Sequence, residues 1–158
     1  MERMLVSGVA GDDEIARVSL IGLKDTPGKA FDIFATLAKK NVNVDIILQS
    51  IGRDKTKDIS FTVPLTSLED AKEIIEINKE RWGVQTVDYN ENLAKVSVVG
   101  AGMSSNAGVA STMFEAMFNS NINIHMISTS EIKISILIDK KDMNKAMNAI
   151  HDIFNLAE

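Results

Sequence analysis

A short turn near residue 25 combines a carboxylate with backbone amides, and together these groups could bind a zwitterion. Asp25 precedes Pro27 and Gly28, and a helix is predicted to begin at Lys29. The first amides of a helix have no partner within it and can face an anion. The amides would therefore bind the α-carboxylate of an amino acid, and Asp25 its α-ammonium group. The alternative is an ordinary strand-to-helix turn in which Asp25 caps the helix.

Two other polar segments could contribute to a ligand site, and each has a simpler explanation. Gln49 ends a predicted strand, so it could direct its side-chain amide into the same pocket or simply be exposed. The run Ser128–Glu131 lies between two apolar segments. Its hydroxyls and carboxylate suit a polar ligand, but the run could also be a tight hairpin.

Motifs typical of a catalytic centre are missing from the sequence. His125 and His151, the only histidines, fall in a predicted strand and a predicted helix, and neither has carboxylates at ligand spacing. No metal site is therefore predicted, and each histidine is more simply a surface or edge residue. There is no phosphate-binding loop ending in Gly-Lys-Ser/Thr and no nucleophile elbow. We expect a chain that is not an enzyme on its own and needs no cofactor.

Composition argues against several further classes of protein. The 158-residue chain has a net charge of −5 with interspersed signs, including within residues 53–58, which disfavours nucleic-acid binding through a basic face. No apolar run approaches the ~20 residues that span a membrane, and the N-terminus lacks signal-peptide design. The absence of cysteine excludes disulfides and thiolate metal sites and suits a cytoplasmic protein.

The elements that must position these groups occur twice along the chain. The segment Ile15–Gly22 (IARVSLIG) is similar in sequence to Leu93–Gly100 (LAKVSVVG). Further along, Asn41–Ile47 (NVNVDII) is similar to Asn121–Ile127 (NINIHMI). Both copies therefore run from an apolar strand through a glycine loop and an amphipathic helix to a second strand.

The first copy has the β-α-β-β-α-β order of a ferredoxin-like domain. Its hydrophobic periodicity predicts strands at 16–22, 43–50, 57–63 and 83–89, with helices at 29–40 and 68–78. Pro64 is expected to close the third strand, and Ser67 to cap the second helix.

The second copy is one strand short. It predicts strands at 94–100, 122–128 and 133–138 and helices at 107–119 and 141–154. The apolar, β-prone segment 4–10 is the spare strand that could complete this sheet, although a disordered start is the alternative. The predicted fold class is thus α+β, with domains at 14–90 and at 4–10 plus 93–156, the first nested within the second.

Several of these segments resemble a known family. Val18–Gly28 (VSLIGLKDTPG) and Asn43–Ser50 (NVDIILQS) are similar to an ACT domain, the small-molecule sensor of amino-acid metabolism. Lys95–Met103 (KVSVVGAGM) with Asn121–Ile132 (NINIHMISTSEI) resembles the tandem ACT region of aspartokinases. The resemblance implies two ACT domains, with antiparallel sheets and helices on one face.

The same resemblance implies a regulatory role. The chain would be the regulatory region or small beta subunit of an aspartokinase, whose ATP-dependent catalytic domain or alpha subunit it lacks. It would sense L-threonine and/or L-lysine as a homodimer joined through ACT domains, for feedback inhibition of L-aspartate phosphorylation in lysine, threonine and methionine synthesis. Alternatives are a regulatory subunit of another enzyme, such as acetolactate synthase, a free-standing ACT regulator, or an independent small enzyme.

The resemblance also implies that the effector binds between two chains. The loop of the first domain would be completed by residues 121–131 of a partner chain, and the loop at 103–110 would lie near those residues. Two departures concern the ligand contacts: Ala107-Gly108 replaces a common Pro-Gly, and Gly52 replaces a hydroxyl residue. The implied effector-binding positions are Lys24, Asp25, Pro27, Gly28, Lys29, Ala30 and Gln49 in the first domain, and Asn121, Asn123, Ile124, Ser130 and Glu131 in the second.

Overall fold

The computed structural model describes residues 6–52, 54–101 and 107–155, and these form six strands and four α-helices. The strands are β1 (Val6–Lys24), β2 (Ile47–Ile51), β3 (Thr56–Pro64), β4 (Thr86–Gly100), β5 (Met126–Thr129) and β6 (Lys133–Asp139). The helices are α1 (Lys29–Lys39), α2 (Leu68–Trp82), α3 (Ala107–Asn119) and α4 (Met143–Phe154). Short 3₁₀ turns at Leu65–Ser67 and Lys140–Asp142 precede α2 and α4.

The chain divides into two compact units. The first unit is Glu14–Glu91, and the second comprises Met1–Asp13 with Asn92–Glu158. The strand order is β2-β3-β1-β4 in the first unit and β1-β4-β6-β5 in the second, because the long strands β1 and β4 contribute to both. The β1–β3, β2–β3, β4–β6 and β5–β6 pairs are antiparallel. The predicted α+β class with two ferredoxin-like repeats is confirmed.

Each unit has its own hydrophobic core between its strands and helices. In the first, Val18, Leu20, Phe61 and Trp82 belong to one buried cluster. In the second, Val6 packs in a cluster with residues of β4, β6, α3 and α4, and the Ser7 hydroxyl donates to the Val99 carbonyl at 3.1 Å. The start of β1 therefore lies beside β4 in the second unit.

The strands β1 and β4 are longer than predicted. The sequence predicts separate strands at 16–22, 83–89 and 94–100 and a further strand at 4–10, of which residues 4 and 5 lie outside the described part. In the structure the extended backbone continues through the exposed polar residues between these segments. Hydrophobic alternation indicates where a strand packs on a core. It therefore cannot detect the part of a strand whose residues are exposed on both faces.

Two helices end in the same way, at asparagines from the duplicated segments. Asn41 after α1 and Asn121 after α3 are left-handed, with φ of 60° and 57°. The amides of Asn41 and Val42 donate to Ala38 and Leu37, and those of Asn121 and Ile122 to Phe118 and Met117. These are Schellman motifs, completed by the buried Val42 and Ile122.

The strands after these caps begin later than predicted, at Ile47 and Met126 instead of 43 and 122. In the first unit the Ile46 amide donates to the Thr62 side-chain hydroxyl at 3.0 Å, which interrupts regular pairing there.

The second helix of each repeat differs from its prediction at one end. Helix α2 runs to Trp82, beyond the predicted 78, because the fully buried Trp82 keeps its last turn on the core. Ser67 makes no side-chain capping bond, because it belongs to the 3₁₀ turn before α2. Helix α4 begins at Met143 instead of 141, again after a 3₁₀ turn. Pro64 ends β3 as predicted.

Candidate functional site

Three connections meet at one end of the sheet in the first unit and enclose an open cavity of about 500 Å³. They are the turn after β1, the β2–β3 hairpin and the turn before β4. The Asp25 amide donates to the Lys55 carbonyl at 3.0 Å, which fixes the first connection to the second. The cavity is lined by Gly22, Lys24, Asp25, Thr26, Asp54, Lys55, Thr56, Gly83 and Gln85.

Asp25 forms an ion pair at the edge of this cavity. Its carboxylate lies 3.6 Å from the ammonium group of Lys57, and its side chain is 60% exposed. Lys57 itself is buried, with 8% of its surface exposed. Helix α1 begins after Gly28 without any side-chain capping bond. The interpretation of Asp25 as a helix cap is therefore wrong, and its carboxylate is held by a buried lysine.

The beginning of α1 directs amides toward the same turn. Gly28 has a φ of 84°, a left-handed conformation that favours glycine and lets the chain enter the helix sharply. The first bond of the helix is from the Asp32 amide to the Gly28 carbonyl at 3.0 Å. The amides of Lys29 and Ala30 precede it, so they have no acceptor inside α1. The Lys29 amide donates a long 3.4 Å bond to the Thr26 carbonyl.

Strand register brings Gln49 close to the ion pair. Gln49 is opposite Ile59, and Ile51 is opposite Lys57. Residues directly opposite in an antiparallel pair share a face, so Gln49 is the diagonal neighbour of Lys57 on the same face. The structure thus brings Asp25, Lys57, Gln49 and the start of α1 to one end of one sheet.

Lys57 was not among the predicted site residues, although the sequence contains a signal for it. In β3 the buried residues Ile59, Phe61 and Val63 alternate with more polar neighbours. Lys57 is in phase with these buried residues, which places a lysine on the core face of the strand. Such a residue needs a partner, since lysine is rarely buried unless it is paired.

Gly52, one of the two departures from the pattern that the resemblance implies, lies in the β2–β3 hairpin. Its amide donates to the Thr56 carbonyl at 2.8 Å. A Cβ at Gly52 would lie 2.5 Å from the Thr56 hydroxyl oxygen, so a larger residue requires Thr56 to move.

Comparison with known proteins identifies the repeats. A family model described as ACT domain matches residues 18–78 and again residues 96–154. The chain belongs to the ACT domain family. Aspartokinase of Helicobacter pylori is 48% identical over 156 residues, which is 99% of this chain and 38% of that protein. The chain thus spans well under half the length of the curated relatives it matches.

Solved structures agree with this assignment. The regulatory subunit of aspartate kinase from Thermus thermophilus, in a ligand-free form, is 35% identical with a TM-score of 0.90, covering 95% of this chain and 99% of that one. A chain from a structure of aspartokinase alpha and beta subunits is 42% identical with a TM-score of 0.88, covering 96% and 99%. The resemblance to the regulatory part of aspartokinases is confirmed.

The second set of predicted effector residues belongs to the second ACT repeat. Asn121 supplies the left-handed position that ends α3, whereas Asn123 is exposed and Ile124 half-buried. Ser130 closes the β5–β6 hairpin: its amide donates to the Lys133 carbonyl at 2.8 Å and its hydroxyl accepts from the Lys133 amide at 3.3 Å. Glu131 is exposed at the tip of this hairpin.

The hairpin interpretation of residues 128–131 therefore holds, and the side chains of Asn123 and Glu131 are directed to solvent. Of the loop at 103–110, residues 103–106 lie outside the described part, and Ala107 and Gly108 open α3.

The two histidines lie in different parts of the second unit. His125 lies immediately before β5 instead of within it, and its Nε2 is 2.8 Å from an Asp139 carboxylate oxygen. His151 lies in α4, as predicted. Within residues 6–52, 54–101 and 107–155 there is no cluster of three or more metal-ligating side chains. Nor is any described helix long and apolar enough to cross a membrane.

Proposed function

We propose that this chain is the amino-acid-sensing regulatory module of an aspartokinase, and that its effector binds at Asp25, Gln49 and the start of α1. The observation that carries the proposal is the exposed Asp25 carboxylate a few residues before the first amides of α1, because these groups provide separate partners for the two charges of an amino acid. In this arrangement the Asp25 carboxylate binds the α-ammonium group. The α-carboxylate is bound by the amides of Lys29 and Ala30.

L-Threonine is an effector whose side chain suits Gln49, the third group of the proposed site. Gln49 offers both a donor and an acceptor, and either suits a hydroxyl group on the effector side chain. L-Lysine is the other effector that the resemblance implies.

We propose that effector binding regulates the kinase through thermodynamic linkage between the ligand site and the arrangement of the ACT domains. A ligand that binds one arrangement of the ACT domains more tightly shifts an attached kinase toward that arrangement. Coupling of this kind is typically about 1–3 kcal/mol. The regulated reaction is L-aspartate phosphorylation by ATP in a catalytic domain or alpha subunit, and the module acts as a homodimer in which a second chain adds the Asn121–Glu131 region to the site.

Isothermal titration calorimetry of the full chain with L-threonine tests the proposal. Asp25→Asn should weaken binding about tenfold or more, as expected for a charge-assisted hydrogen bond, and Gln49→Ala should weaken it by up to about tenfold, as expected for a neutral one. Asp88→Asn is the matched control, since Asp88 is an equally exposed aspartate (56%) in an ion pair with Arg17 of the same unit. Wild-type affinity in Asp25→Asn would exclude the proposed site.

A further inference from the structure

We propose that Lys57 sets the class of effector: it binds the α-carboxylate and makes the site select amino acids with uncharged side chains over basic ones. This inference rests on the proposed function, and it gives the buried lysine a role beyond holding Asp25.

The burial of Lys57 indicates unused binding capacity. Lys57 is 8% exposed. Its ion-pair partner among the described residues is Asp25, with Nζ of the lysine 3.6 Å from a carboxylate oxygen. That separation is longer than a good hydrogen bond, so the contact with Asp25 is Coulombic and does not itself use the ammonium donors of Lys57. A buried ammonium group gains most from a ligand that completes its hydrogen bonds.

The local charges favour a carboxylate and oppose a second ammonium group. The N-terminus of α1 carries the positive end of the helix dipole, and Lys57 adds a full positive charge on the same side. Lys24 and Lys55 line the neighbouring cavity, where the carboxylates of Asp25 and Asp54 offset their charge. A zwitterion with an uncharged side chain matches the Asp25–Lys57 pair charge for charge. A basic amino acid brings an additional cation close to Lys57 and the positive end of α1, which disfavours it.

The second ACT repeat shows that the fold does not itself require a lysine here. The cross-strand pair Ser19–Ser60 of the first repeat corresponds to Ser97–Ser135 of the second. Lys57 lies three residues before Ser60, and the residue three positions before Ser135 is Ile132, which is 60% exposed. The residue opposite Ile134, in the place of Gln49, is Thr129. The cation is therefore particular to the first repeat.

Titration calorimetry of the full chain with L-threonine and with L-lysine measures the selectivity directly. Wild type should bind L-threonine at least about tenfold more tightly than L-lysine. Lys57→Met keeps the side-chain length and removes the charge, so it should weaken L-threonine about tenfold or more and bring the two affinities together. Lys57→Arg keeps the charge and should retain the preference.

The control is Lys79→Met, which removes a lysine paired with Glu76 on the surface of α2 and should leave both affinities unchanged. Thermal unfolding of each variant verifies that it folds. If Lys57→Met does not fold, Lys57→Arg still tests the role of the charge. An unchanged affinity ratio in Lys57→Met, or loss of the preference in Lys57→Arg, overturns this inference alone. A wild-type chain that binds no amino acid overturns the proposed function together with it.

Discussion

The hydroxyl oxygens of Ser97 and Ser135 lie 2.7 Å apart across the β4–β6 pair, and both residues are buried. The first ACT repeat has the same contact between Ser19 and Ser60, at 2.9 Å across β1–β3. The Ser97–Ser135 pair places two polar groups where neither can reach much water, and each hydroxyl satisfies the other; in the first repeat Ser19 is buried and Ser60 half-buried. The duplication thus preserves a polar contact in the sheet as well as the apolar core.

This relationship predicts strong coupling between Ser97 and Ser135. Ser97→Ala should destabilise the chain by about 1–3 kcal/mol, because it leaves the Ser135 hydroxyl buried without its partner. Adding Ser135→Ala should cost much less than the sum of the single changes. Urea unfolding of the two single variants and the double variant measures the coupling, and strictly additive effects would contradict it.

The left-handed asparagines give a second prediction. Asn121→Ala should lower the stability of the chain by about 1–2 kcal/mol, since a Cβ without a polar group is strained at positive φ. Asn121→Gly should be close to neutral, because glycine adopts this conformation freely. Thermal unfolding compares these variants with Asn123→Ala, an exposed neighbour. Equal effects of alanine and glycine at 121 would show that the cap does not depend on backbone conformation.

Tyr89 gives a prediction about alkaline pH. Burial, and to a lesser extent the nearby Glu76 carboxylate, raises the pKa of Tyr89 to about 12. No hydrogen-bond partner of its hydroxyl lies within the described ranges. An unfolded tyrosine ionises near pH 10, so between about pH 10 and 12 the unfolded chain releases a proton that the folded chain keeps. The contribution of Tyr89 to stability is therefore complete below pH 10 and is lost as the pH rises toward 12.

Tyr89→Phe isolates this effect, because it removes the ionising group and keeps the ring that Lys72 overlies at 5.2 Å. The difference in melting temperature, wild type minus variant, should become more negative as the pH rises above about 10. Circular dichroism melts at matched ionic strength measure it. A difference that stays constant with pH would argue against a raised pKa.

The sequence predicted those parts of the fold in which local pattern and tertiary packing agree. Helix α3 has the bounds its apolar periodicity predicts, and β3 ends at Pro64 because proline cannot donate to the ladder. The last turn of α2 was missed because its residues are mostly polar and only the burial of Trp82 on the core explains it. The junctions in β1 and β4 were missed because their extended residues are exposed.

The candidate site was predictable only in part, for a related reason. Asp25 and Gly28 are close in sequence, so the turn that joins them could be inferred from spacing. The contact between Asp25 and Lys57 depends on how β3 pairs with β1, where Lys57 is opposite Leu23. Such pairing across the sheet has no signal within either segment alone. The phase of Lys57 in β3 could have indicated a buried lysine that needs a partner, but not which residue supplies it.

The most direct test is a crystal structure of the full chain with bound L-threonine. The account predicts an α-ammonium group within hydrogen-bonding distance of the Asp25 carboxylate, with the α-carboxylate at the first amides of α1 and near Lys57. It also predicts that Gln49 contacts the side-chain hydroxyl. Threonine bound at a position where it contacts neither Asp25 nor the start of α1 would contradict the account.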